Sequence, residues 1–260
     1  MSLTSITSVE SSSKVNLGVE IRERTGHIFQ KISDNIFASA GIKFIRIEPD
    51  HTQLVTQFLT CNFLPEDLIS KTYNVIEDER LNSVVKQLIK DEICVMATDK
   101  EGDLIGVYLA GIYRRGDWLK KVSSSFNVGN ILNQSNVAEA HKVNEKLLQL
   151  LGYNVWGMFD GHDCQAIAGD ILLCVSNKSP VIGVGTELVR QGEIAAKEKN
   201  CDLALCVTTN SYVQRVLRDS GYVLRSVVVL CDFKDEDGRL FIEAADEDSS
   251  ARVLFKNLKI

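Results

Sequence analysis

The stretch DILLCVSNKSPVIGVGTELVRQGEIAAKEKNCDLALCVTTNSYVQRVLRDSGY, Asp170–Tyr222, decides how the chain is read. Its order of signals predicts a buried strand over Ile171–Val175, a short turn, a helix opened by Gly183 and Gly185, a second apolar strand over Leu203–Val207, and a helix that stops at Gly221. A strand that feeds through a glycine turn into a helix N-terminus aims unpaired backbone N–H groups and the positive end of the helix dipole at one point. Such a point suits an anion, and the chemistry is expected there. The plainer reading of the same glycines is a strand-to-helix turn with no ligand.

Working outward, KFIRI alternates as a half-buried strand from Ile42 and is ended by Pro49. HTQLVTQFLTCNFL spaces Leu54, Val55, Phe58, Leu59 and Phe63 along one helical face, and that helix has to stop before Pro65. Beyond it, PEDL sets Glu66 and Asp67 in a loop with apolar flanks Phe63, Leu64 and Leu68. A carboxylate held against apolar neighbours has a raised pKa and serves as a base, whereas a solvated loop acid does neither. A second amphipathic helix is expected over Asp78–Lys90, followed by a hairpin of strands Ile93–Thr98 and Leu104–Ile112. Residues 115–135 are polar and loop-like, and Val137–Leu151 returns to helical spacing with Gly152 as its stop. The segment GMFDGHDCQAIAG, residues 157–169, reads as a loop. Its Asp160, His162 and Asp163 crowd together as metal ligands do, but one histidine and two aspartates beside glycines are turn chemistry, and no metal is expected. Downstream, Val223–Phe233 reads as a strand, Asp235–Gly238 as a turn, GRLFIE as an extension of the sheet, EAADEDSS as an acidic loop and ARVLFKNL as the closing segment.

The 260 residues are 45% hydrophobic, enough for one substantial core, so a flexible extension over residues 1–40 and a single domain over 41–260 are expected. A net charge of −6 gives no field that favours nucleic acid, and no basic patch with interleaved aromatics occurs. The seven cysteines are odd in number, widely spaced and without a CxxC pair, which argues for reduced thiols in the cytoplasm. The N-terminal MSLTSITSVESSSKVN lacks a basic region followed by an apolar one, and no apolar run reaches membrane-spanning length. A monomer or weak homodimer, bound to neither membrane nor nucleic acid, is the expected state.

NFLPEDL after the first helix, LLCVSNKSPVIGVGTEL, TTNSYVQRVLRDSGY and the late DFKDEDGRLF occur in that order over residues 42–258. In this the chain resembles the GNAT superfamily of acetyl-CoA-dependent N-acetyltransferases, and within it the arylalkylamine N-acetyltransferases of insects and related invertebrates. The resemblance implies an α/β (α+β) fold: a central mixed, mostly antiparallel sheet with a splayed V between two parallel strands, flanked by helices. Rival glycine motifs fail on detail, because a Walker A loop needs Gly-Lys-Ser/Thr where Gly185 is followed by Thr186 and Glu187, and a dinucleotide fingerprint needs a small residue at Leu188.

The resemblance also implies site residues. Acetyl-CoA is the expected co-substrate, its pyrophosphate held by the amides of Gly183, Val184, Gly185 and Thr186. Pro180 departs from the family's cationic or amide residue at the first position of that turn and brings no N–H. Backbone groups at Cys174, Val175 and Ser176 are expected to pair with the pantetheine arm, the Val175 N–H stabilising the oxyanion. Asn210 matches a pantetheine-contacting asparagine and doubles as a helix N-cap, and Arg215 matches an arginine of the insect branch. A primary amine is protonated at neutral pH and must lose a proton before it attacks a thioester, and Glu66 matches the general base of the insect enzymes. Asp67 replaces a family proline. Thr209 keeps one hydroxyl of a two-serine proton relay where Val213 lacks the other, and Leu217 stands where many relatives place an acidic tyrosine, leaving Tyr212 as the reserve acid. The expected activity is acetylation of a small primary amine, such as dopamine, serotonin or tyramine, by direct attack in a ternary complex. The alternatives are a degenerate CoA- or acyl-CoA-binding module and a polyamine or protein N-terminal acetyltransferase.

Overall fold

The computed structural model describes residues 34–78, 80–117, 135–161, 163–179 and 181–259. The expected extension up to residue 33, residues 118–134 of the polar segment, His162 and Pro180 lie outside the described residues. The chain divides into two compact units, Met1–Lys43 and Phe44–Ile260. Of the first, the described residues include a helix over 34–39.

The strands are β1 (Lys43–Arg46), β2 (Val95–Thr98), β3 (Leu104–Arg114), β4 (Ala166–Val175), β5 (Leu203–Thr208), β6 (Val223–Val229) and β7 (Ser250–Asn257). They form one sheet in the order β1-β2-β3-β4-β5-β7-β6. β4 and β5 run parallel, while β3 pairs antiparallel with β2 and β4, and β7 with β5 and β6. This is the mixed, mostly antiparallel sheet that the resemblance implies. The helices are α1 (Thr52–Asn62), α2 (Leu68–Thr72), α3 (Arg80–Ile89), α4 (Ser135–Leu150), α5 (Gly157–Gly161), α6 (Val184–Glu198) and α7 (Ser211–Asp219).

β3 is the keel of the sheet, and the twofold alternation of its side chains separates two layers. Val107 and Leu109 join Val55, Phe58 and Leu59 of α1 and Leu81, Val85 and Ile89 of α3 in one apolar cluster. Gly106 and Tyr108, on the other face, meet Leu188 and Gly192 of α6. A second cluster gathers Val143 and Leu147 of α4, Met158 and Phe159 of α5, Leu205 of β5 and Val253 of β7.

Four sequence expectations are corrected. The segment 157–169 is not a plain loop: it contains α5, and β4 starts at Ala166, not Ile171. Ala166, Ile167 and Ala168 are all buried, so the first part of this strand has no exposed face and shows no alternation to read. GRLFIE joins the sheet nowhere. Its only ladder contact among the described residues is an isolated Lys234–Leu240 bridge, and it folds inward, with Phe241 against Phe233 at 4.7 Å and Ile242 fully buried. The strand from Val223 ends at Val229 in a 3-10 turn over Leu230–Asp232. PEDL leads into the short helix α2, capped by Asp67, whose carboxylate accepts from the N–H of Ser70 at 2.8 Å and its hydroxyl at 2.9 Å. An N-cap role gives a local reason for an aspartate at that position.

Candidate active site

β4 and β5 share two rungs, Ile167↔Leu203 and Ala168↔Ala204, although β4 runs on to Val175 and β5 to Thr208. The divergence starts within β4. The β3–β4 register steps from Gly111↔Gly169 to Leu109↔Leu172, so Asp170 and Ile171 together oppose Ala110. That is a β-bulge, and a bulge bends the strand that carries it. Asp170 sits in it at φ 53°, a left-handed conformation that aspartate tolerates better than most side chains. Past the bulge the parallel strands separate into the expected V.

A cavity of about 360 Å³ occupies the opening. Its walls are Asn62, Phe63, Glu66 and Asp67 at the end of α1, Ile69 of α2, Asn144, Leu147 and Leu148 of α4, and Tyr153. The strands contribute Asp170–Val175 and Val207–Thr208, and the α7 entry contributes Thr209, Asn210, Tyr212 and Val213. Most of this surface is apolar. Glu66, Asp67 and Asp170 bring carboxyl groups to it, and no lysine, arginine or histidine lines it among the described residues.

One end of the cavity adjoins the glycine turn. Gly183 is the N-cap of α6 at φ 96°, a backbone shape that an L side chain strains. The amides of Val184, Gly185 and Thr186 then open the helix without partners in the preceding turn, as any helix start leaves them. The turn thus has the backbone shape of a helix start, with the Tyr212 hydroxyl at the Gly185 amide. On β4, Ser176 donates its N–H to Ile105 O at 2.8 Å. Antiparallel alternation turns the Val175 N–H the other way, into the V, while the Ser176 N–H is consumed by β3. Cys174 lines the cavity, and its thiol is pushed up to about 12, by burial first and by the charge of Glu66 second. It stays a neutral thiol.

Of the remaining predicted residues, Glu66 and Thr209 both line the cavity. The Glu66 side chain is 65% exposed and lies 3.2 Å from Lys71 Nζ. Asp67 is drawn in behind it, its pKa raised by burial, which outweighs the lowering effect of its bonds to Ser70. Asn210 caps α7, accepting the Val213 N–H at 3.1 Å. Tyr212 lines the cavity with its hydroxyl at the glycine turn: a Cβ on Gly185 would lie 2.6 Å from it. Burial raises the Tyr212 pKa, and the Arg215 charge and the Gly185 amide oppose that rise. Arg215 itself is exposed on α7 and outside the cavity lining. Leu217 is fully buried in the core. Among the described residues no cluster of histidine, cysteine or carboxylate could hold a metal.

Sequence reading missed one group. Asp170 accepts hydrogen bonds from two hydroxyls, that of Tyr113 to Oδ2 and that of Tyr153 to Oδ1 at 2.7 Å. Burial raises its pKa to about 6. Water reaches the carboxylate through the cavity, yet protein surrounds it on the other sides. The available signal was a charged residue inside the run AIAGDILLCV, which reads as one buried strand once its first four residues are included.

The bulged β4, the V between parallel strands and the glycine turn onto α6 together define the GNAT fold. Solved structures share it, among them arylalkylamine N-acetyltransferase 2 from Aedes aegypti, 20% identical with a TM-score of 0.71 over 84% of this chain and 99% of that one. An agmatine N-acetyltransferase, solved as a point mutant in its apo form, is 14% identical with a TM-score of 0.68 over 84% and 99% of the two chains. A polyamine N-acetyltransferase from Drosophila melanogaster is 14% identical with a TM-score of 0.66 over 83% and 99%. No family model and no curated protein matches the chain.

Proposed function

We propose that the chain is an acetyl-CoA-dependent N-acetyltransferase acting on a small primary amine by direct attack in a ternary complex. The observation that carries this reading is the V between β4 and β5, which opens from an amide-lined helix start at one end into an apolar, carboxylate-bearing cavity. The first part suits a pyrophosphate and the second an alkylammonium. The amides of Gly183–Thr186 hold the diphosphate, the Val175 N–H faces the thioester oxygen, and Asn210 borders the pantetheine arm. Acetyl-CoA supplies an activated acyl group whose C–S bond breaks as the amine forms its C–N bond. The ammonium gives up one proton to the protein before attack, and a second, released as the amide forms, neutralises the thiolate. Leu217 is buried, so Tyr212 and Thr209, both in the cavity wall, are the hydroxyls assigned to that second transfer. Glu66 stands at the rim, where its charge draws cations in and where it is one candidate for the first proton.

The apolar walls formed by Phe63, Ile69, Leu147 and Leu148 favour an amine with an aromatic or alkyl body, an arylalkylamine such as dopamine, serotonin or tyramine, over a protein N-terminus. The A. aegypti, agmatine and D. melanogaster enzymes support an amine as acceptor. Purified protein given acetyl-CoA and a panel of arylalkylamines, polyamines and N-terminal peptides is expected to release free CoA thiol with arylalkylamines above the amine-free rate. Thiol release that no amine accelerates sinks the proposal. Acetyl-CoA bound in a calorimeter by a protein silent with every amine identifies a CoA-binding module instead. No helix among the described residues is long and apolar enough to cross a membrane.

A further inference from the structure

Asp170 is built into the fold more firmly than a chance pocket carboxylate. Two tyrosines from different elements converge on it: Tyr113 of β3, 57 residues away in sequence, and Tyr153 beyond the end of α4, 17 residues away. The Tyr113 ring lies over Gly169, where a Cβ would come within 2.9 Å of Cε2, and Trp156 meets that ring edge-on at 5.4 Å and 78°. Glycine at 169 is thus what allows Tyr113 to reach the neighbouring carboxylate. No cation pairs with Asp170 among the described residues.

We propose that Asp170 on the β4 bulge is the residue that takes the proton from the amine, with Tyr113 and Tyr153 as positioning residues that hold its carboxylate in the cavity. The assignment rests on the acetyltransferase reading. Two of the four acceptor sites of the carboxylate are used by the tyrosines, and two remain for an ammonium. One N–H bond of the ammonium breaks, its proton passes to an Asp170 oxygen, and the nitrogen keeps the electron pair that attacks the thioester carbon. Asp170 later returns the proton to water. Asp170 opens the β4 segment that borders the V, whereas Glu66 stands at the cavity rim, 65% exposed and paired with Lys71.

Burial, which raises Asp170 to about 6, also supports the role, because a base titrating near the working pH is still ionised there and takes a proton more readily than an ordinary carboxylate. Two of the groups facing it, Tyr153 and Cys206, stay neutral. Tyr153 is pushed up by burial first and by Cys206 second. The Cys206 thiol of β5 is held at about 12 by burial and then by the Asp170 charge, and Tyr113 is the remaining donor. The cavity's other titratable groups are Glu66, Asp67, Cys174 and Tyr212.

The test is the pH dependence of kcat/KM for the amine. Below about pH 6 Asp170 is protonated and accepts nothing, so the wild-type value falls tenfold per unit there and is flat from about 6 to 9. Asp170→Asn keeps the size and the tolerance for a left-handed backbone. It is expected to lose the acid limb, to run about 100-fold slower at pH 7, and to climb tenfold per unit toward pH 9 as free amine accumulates. Tyr153→Phe removes one hydrogen bond to the anion, so its acid limb moves up by about one pH unit. An Asp170→Asn profile that keeps the limb overturns the assignment, as does a loss confined to KM or a limb that disappears in Glu66→Gln instead. A wild type that no amine engages overturns the acetyltransferase reading and this assignment together, whereas the first three outcomes leave that reading intact.

Discussion

Replacing Gly192 by alanine destabilises the protein, even though the same change in an exposed helix stabilises it by about 1 kcal/mol. Gly192 lies inside α6, where glycine is a poor helix former, and the reason for it is on the facing strand. A Cβ at 192 would overlap Cε1 and Cδ1 of Tyr108 and lie 2.6 Å from Cζ. Tyr108 is fully buried, so the ring has no solvent to move into. Either α6 lifts off β3 or the ring leaves its rotamer, and overpacking of that kind costs about 1–3 kcal/mol or more. Set against the gain of about 1 kcal/mol in helix propensity, the expected net loss reaches about 2 kcal/mol, seen as a lower urea midpoint at an unchanged slope. Tyr108→Leu in the same background relieves the collision, so the two losses combine to less than their sum in a double-mutant cycle. A Gly192→Ala variant as stable as the wild type contradicts the packing described.

The glycines of the α6 turn act differently on stability and on ligand. Gly183 at φ 96° places alanine in a region that costs about 1–2 kcal/mol, and the strain is relieved by turning the amides that follow. Gly183→Ala is therefore expected to lose stability and to weaken acetyl-CoA binding by tenfold or more in a calorimetric titration. Gly185→Ala meets only the far end of Tyr212, a side chain 39% exposed and free to swing outward, so little stability is lost. Its methyl group still projects where a phosphate has to approach the backbone, and the affinity falls by at least the same tenfold, about 1.4 kcal/mol. Both variants binding acetyl-CoA as the wild type does exclude the turn as the diphosphate site.

These glycines were legible in the sequence because a turn between an apolar strand and a helix leaves few explanations for two of them. Asn210 was legible as a cap for the same reason, since its role is local. Asp170 was not. What makes it a candidate site is a bulge one residue long and two tyrosines brought from elsewhere by the β3–β4 pairing and the end of α4, none of which periodicity reports. Reading β4 from Ile171 also cut Asp170 off from its strand and left it at a loop boundary, where an aspartate is unremarked. GRLFIE failed in the opposite way: its alternation is a real strand signal, but Phe241 and Ile242 go to the core through a loop. Asp67 shows a residue whose local role, capping α2, outweighed comparison with a proline at that place.

The two rungs between β4 and β5 carry a consequence for how the molecule comes apart. The seven strands amount to two ribbons, β1–β4 and β5–β7–β6, joined directly at one end of the β4–β5 seam by the rungs Ile167–Leu203 and Ala168–Ala204 and by Asp202, which bonds Gln165 and Ala166, and beyond them by the Cys206 thiol on Ile171 O. Units connected this thinly open semi-independently, and amide exchange reports the weaker ribbon before global unfolding. A pantetheine arm bound in the V, as proposed above, would bring amide groups to both sides and so would serve as a short extra strand that couples the ribbons into one cooperative unit. On the acetyltransferase reading proposed above, that occupancy would also make the sheet whole, with a gain of about 2.7 kcal/mol at a hundredfold excess of ligand over its Kd.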